Sequence, residues 1–193
     1  MNSSFYMGTP QNNCNLYMLL LGCKPLGRHI EQHDIFFSIG RELKDFVPQI
    51  LEFWPEADAK VHIDAFRPIT SVEGYRIEVI GRDEATDNEG NKLYFVNLGG
   101  YRPKEFEEYH FKRIVVGNSL ADAIKQAKNT VFWDTHDSPH IDDKYALDVD
   151  DLYDVEDLLP ASIKAAYALK ISKSSEVLPE DEVQNGYFKL SRL

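Results

Sequence analysis

Two kinds of acid–imidazole pair recur along this chain. Glu31-x-His33 returns as Glu108-x-His110, and His62-x-Asp64 returns as His140-x-Asp142. Residues two apart in an extended strand point to one face, so each pair would hold a carboxylate beside an imidazole. Such a carboxylate fixes the ring tautomer and raises its basicity, which suits a general base or a metal ligand. A metal site needs three or four converging donors, and this spacing directs convergence far less than two histidines one helical turn apart. The same pairs also suit a polar cluster that holds strand register. His33 shares its face with Ile35, Phe37 and Ile39, where an imidazole closes the end of an apolar stripe. His62 and Asp64 are expected on the face opposite Val61, Ile63 and Ala65, away from the helix. They are the first ligand-binding candidates, with His140 and Asp142 as their repeat, and Glu31, His33, Glu108 and His110 form the second set. No metal or cofactor is assigned.

The elements that must position these residues are themselves repeated. Leu16, Tyr17, Leu21 and Gly22 align with Leu93, Tyr94, Leu98 and Gly99, and the same shift brings Glu31, His33, Gly40 and Leu43 onto Glu108, His110, Gly117 and Leu120. Small length changes then bring Phe53-Trp54 onto Phe132-Trp133. In the first copy the apolar run 16–21 reads as a buried strand and 33–39 as a second. Leu43, Phe46, Val47, Ile50, Leu51 and Trp54 recur at helical spacing, with Pro48 near the helix start and Pro55 at its end. Residues 60–66 and 74–80 alternate as two further strands. Ser119 is placed to cap the second helix.

The expected fold is therefore α+β: two strand-strand-helix-strand-strand units with mostly antiparallel sheets, related by a pseudo-two-fold axis. Residues 1–15 form a polar extension, 16–82 the first repeat, 83–92 a linker too short for independent lobes, and 93–193 the second repeat. That repeat carries an acidic, helix-containing insertion at about 147–185. It opens on DVDDLYDVED, expected as a helix or turn because Val149, Leu152 and Val155 fit one helical face, and Pro160 opens a helix carrying Ile163, Tyr167 and Ile171. The sequence 185–190 resembles 73–78 and is expected to be the last strand of the second repeat.

The net charge of −11 gives no electrostatic footprint for nucleic acid or an anionic membrane. Its longest apolar run is too short to span a bilayer, and the N-terminus lacks the pattern of a signal peptide, so a cytoplasmic protein is expected. Cys14 and Cys23 form neither a disulfide framework nor a zinc knuckle. The glycines at 22 and 27 echo a phosphate loop, but Arg28 and His29 stand where Lys and Ser or Thr are needed, and a strand follows. Lys24, Arg28, Arg102 and Lys104 read as solvated turns in preference to an anion site. Asp148, Asp150 and Asp154 lack the turn glycine and bidentate glutamate of a calcium loop.

The segments LLLGCKPLGRHIEQHDIFF, KVHIDAF, LYFVNLGGYRPKEFEEYH and HIDDKYALDVDDLYDVEDLLP resemble a bacterial domain-of-unknown-function family, number fifteen-forty-three. The resemblance covers nearly the whole chain. It implies one or two copies of a short domain per protein and attaches no activity, ligand or catalytic residue. The expected function is non-catalytic binding or interaction, with a homodimer or protein partner meeting the acidic insert. The alternative is a small-molecule or metal-dependent hydrolase using the repeated pairs at the lobe interface.

Overall fold

β1 (Asn15–Cys23) is apolar along its length because both of its faces are covered. Leu19, Leu21 and Cys23 point into one core with Phe36, Phe46, Ile50 and Ile63, whereas Leu16 and Met18 point into another on the opposite side. β2 (Gln32–Gly40) and β3 (His62–Ile69) flank β1, both antiparallel to it. Between them, α1 (Val47–Phe53) carries Pro48 in its first turn, where no intrahelical N–H is required, and ends before Pro55. A short 3-10 turn, Leu43–Phe46, leads into α1, and Asp45 Oδ2 accepts from the N–H groups of Arg41 and Glu42. The computed structural model describes residues 13–58, 60–85, 87–101, 104–135 and 148–193.

A second unit has the same plan. β6 (Lys92–Tyr101) lies between β7 (Glu108–Gly117) and β8 (Asp148–Asp154), and α2 (Leu120–Thr135) follows β7. Ser119 Oγ accepts from Asp122 N–H at 3.2 Å, the expected cap. Ala123 and Ala127 of α2 pack on Tyr94, Val96, Leu98 and Val115. The other face of this sheet, with Leu93, Phe95, Ile114 and Val116, meets Leu16, Phe37 and Ile39 of the first. The Phe37 and Phe95 rings touch edge to face at 5.6 Å. Helix, sheet, sheet and helix thus form four layers, and the α+β class with mostly antiparallel sheets holds.

The remaining strands depart from the expected layout. β4 (Ser71–Val72), β5 (Tyr75–Gly81) and β9 (Tyr167–Lys173) form a third sheet, order β4-β5-β9, so β5 leaves the first unit's sheet. The free edge of β3 is taken by β10 (Gln184–Lys189), the strand expected in the second repeat. Ile77 and Ile171, directly paired, drop into the core between the layers, which rewards the β5–β9 pairing. The acidic stretch is a strand, β8, followed by the single helical turn α3 (Val155–Leu158). α4 (Ala161–Ala166) starts at Pro160 as expected but stops at Ala166, because Leu169 and Ile171 bury on alternate positions of a strand.

A β-bulge explains the misleading period. In β8 the register with β6 shifts between Asn97 and Leu98, leaving Asp150 as the extra residue. Val149 and Leu152, three apart, consequently pack against the same core and imitate helical spacing. β3 does the same at Asp64, between Leu20 and Leu21 of β1, and puts Ile63 and Phe66 against one core. The linker is stitched to the third sheet: Asn88 donates to Leu169 O and accepts from Ile171 N–H, both at 3.0 Å. No helix among the described residues is long and apolar enough to cross a membrane.

Candidate functional site

Gly22 of β1 is paired with His33 of β2 on one side and with His62 of β3 on the other. The bulge residue Asp64 lays its carboxylate over the space that Gly22 leaves empty. A Cβ on Gly22 would lie 2.3 Å from Asp64 Oδ2 and 2.7 Å from His62 Nε2. From that notch Asp64 reaches both imidazoles, with Oδ1 3.2 Å from His62 Nε2 and Oδ2 3.2 Å from His33 Nε2. Glu31 Oε1 stands 3.3 Å from His62 Nε2. The four predicted residues of the first repeat thus form a chain, Glu31, His62, Asp64, His33.

The chain is unevenly exposed. His62 is only 4 % exposed, and the Tyr187 ring from β10 covers it with centroids 4.2 Å apart. Its two ring nitrogens and Asp64 Oδ2 are buried without an aligned hydrogen-bond partner, so their attraction is one of proximity. His33, at the other end, is more than a third exposed. Among the described residues, no three or more His, Cys, Asp or Glu side chains are grouped to hold a metal ion.

The second unit repeats the notch with different donors. Gly99 pairs with His110 and with Asp148, and the bulge residue Asp150 lies over it, 2.3 Å from where a Cβ would be. Asp150 Oδ2 is 3.4 Å from His110 Nε2. The strand position of His62 is therefore occupied by Asp148, and that of Asp64 by Asp150. His140 and Asp142, expected in these roles, lie outside the described residues. Glu108 opens β7 opposite Tyr101. The signals that could have revealed Asp150 and the notches were Gly22 and Gly99, each ending an apolar run.

A cavity of about 510 Å³ opens between the two sheets. Met18, Leu20 and Ile35 form one wall and Ile114 part of the other, with Ala65 at its edge; among the described residues, no predicted site residue lines it. Two cations do. Arg67 of β3 and Lys112 of β7 make no ion pair or hydrogen bond among the described residues, and burial holds both below their ordinary pKa range. The nearest carboxylates act on them at longer range, Asp181 and Glu180 on Arg67 and Asp34 on Lys112.

The acids of the cavity wall are differently placed. Asp181 is engaged at the corner between β3 and β4, accepting from Thr70 N–H at 2.7 Å, Thr70 Oγ1 at 2.6 Å and Ser71 N–H at 3.1 Å. Burial pushes the Glu73 carboxyl up toward its neutral form, against a hydrogen bond from the Val116 backbone and the Arg113 charge. Sequence reasoning missed this cavity because its walls come from strands whose mutual placement no local pattern encodes.

The fold as a whole is similar to a crystal structure of a protein, Il1583, from Idiomarina loihiensis, with a TM-score of 0.63 and 24% identity over 92% of this chain and 98% of that one. No curated protein matches the chain. Residues 28–79, which include Glu31, His33, His62 and Asp64, match the family described as Domain of Unknown Function (DUF1543).

Proposed function

We propose that this protein is a non-catalytic binding protein that takes a small molecule into the cavity between its two sheets. One observation carries the reading: a cavity of about 510 Å³, within the size range of small-molecule sites, is lined by apolar side chains from both halves of the chain and by an arginine, Arg67, with no ion pair or side-chain hydrogen bond among the described residues. The thiol nearest the polar chain is not set up as a nucleophile. Cys23, the thiol adjacent to Gly22, is fully buried, donates weakly to Ala57 O, and is held above the usual thiol range chiefly by burial. The repeated acid–imidazole groups, for their part, sit at the glycine ends of their own sheets. Their best-supported role is to tie three strands together across the notch.

The test uses a neutral apolar fluorophore, N-phenyl-1-naphthylamine, titrated into the intact protein. Saturable binding at one site is expected, and Ala65→Trp, which puts a large ring at the cavity edge, should abolish it while the circular dichroism of the fold persists. Equal binding by the wild type and the tryptophan variant would place the fluorophore elsewhere and overturn the reading.

A further inference from the structure

The charges that the cavity wall leaves uncommitted set the kind of molecule it can hold. Apolar side chains from β1, β2 and β7 need a ligand body without charge or strong hydrogen-bonding groups, since desolvating such groups there would go unrepaid. The polar demand comes from the cations. Arg67 presents a five-donor guanidinium with no acceptor among the described residues, and Lys112, itself exposed, brings a second positive charge from the facing sheet.

The wall carboxylates, Glu73, Glu180 and Asp181, are differently engaged. Asp181 spends its oxygens on two backbone N–H groups and a hydroxyl. Glu73 takes a hydrogen bond from the Val116 backbone and faces the Arg113 charge, and Glu180 is exposed to solvent. Acids and bases balance in formal charge along the wall, and what distinguishes Arg67 is a guanidinium whose donors meet no hydrogen-bond acceptor among the described residues. A carboxylate would supply that acceptor.

We infer that the ligand is an amphipathic carboxylic acid: an apolar chain or ring lying between the sheets, with its carboxylate against the Arg67 guanidinium and within reach of Lys112. This rests on the cavity being the binding site, and it adds the chemical class. Guanidinium and carboxylate match as a two-pronged pair, which a lysine in place of Arg67 reproduces only as a point charge.

The test displaces N-phenyl-1-naphthylamine from the whole protein with decanoate, decan-1-ol and decylamine, three ligands sharing one chain and differing in head group. Decanoate is expected to compete roughly ten- to hundredfold better than decan-1-ol, the range of a charge-assisted hydrogen bond in a partly buried site, with decylamine weakest. In Arg67→Gln, with the fluorophore's affinity measured afresh for that variant, the advantage of decanoate over decan-1-ol should collapse, and Arg67→Lys should restore part of it. Equal competition by decanoate and decan-1-ol, or an advantage that survives in Arg67→Gln, would overturn the anion inference and leave the cavity reading standing. Failure of the fluorophore to bind would instead overturn the cavity reading beneath it.

Discussion

A methyl group on Gly22 would collide with two side chains at once, and neither can retreat cheaply, because Asp64 is fixed by a bulge and His62 is packed under Tyr187. Gly22→Ala should therefore lower stability by about 1–3 kcal/mol, as overpacking does. Removing the carboxylate should relieve much of that strain, so the double variant Gly22→Ala with Asp64→Ala is expected to be more stable than the sum of its single changes, as a double-mutant cycle in denaturant would read. Additive losses would mean that Asp64 is not what fills the notch. Glu73 makes a different prediction. Its folded-state pKa is raised, so the folded protein binds more protons than the unfolded chain, and its contribution weakens as pH rises from the ordinary glutamate range through the raised value. Glu73→Gln should flatten that decline when melting temperatures are compared between about pH 4 and 8. Much of the first site was legible here: Glu31, His33, His62 and Asp64 do converge. Its second copy was not, because the sequence match HID at 62–64 and 140–142 is a stronger textual signal than DVD at 148–150, whereas strand register and the bulge select the latter.

The strands of the first unit, its helix and the cap on α2 were readable because each signal is local: apolar runs, Pro48, Pro55 and Ser119. What local pattern could not decide was which edge each later strand would join. β5 and β10 have ordinary alternation, and their placement depends on edges that exist only once the two sheets have packed. The bulges compounded this by giving Val149 and Leu152 a helical interval within a strand. The segment before β10 is held to the β3–β4 corner by Asp181, and by Ser71 Oγ donating to Pro179 O at 2.6 Å. Asp181→Ala would strip acceptors from two backbone N–H groups and a hydroxyl. It should cost roughly 1–3 kcal/mol, and faster hydrogen exchange should appear at residues 70–71 and 176–183 before the rest of the sheet. Unchanged exchange there would show that the corner does not anchor the C-terminal strand.

At the scale of the whole molecule, the packing of two sheets face to face makes a cavity that neither unit has alone. Near Leu16, Phe37, Leu93 and Phe95 the faces meet in a closed core, and beside it they part around the cavity. Binding there should couple the two halves, since a ligand that touches both sheets stabilises only the packed state and raises the melting temperature with its concentration. The most direct test is an isotope-filtered nuclear Overhauser experiment on methyl-labelled protein with decanoate added. Cross-peaks from the decanoate chain to Ile35 of the first sheet and Ile114 of the second, in the same complex, are the predicted result. Cross-peaks confined to exposed Leu26 or Ile30, or to neither sheet, would contradict it.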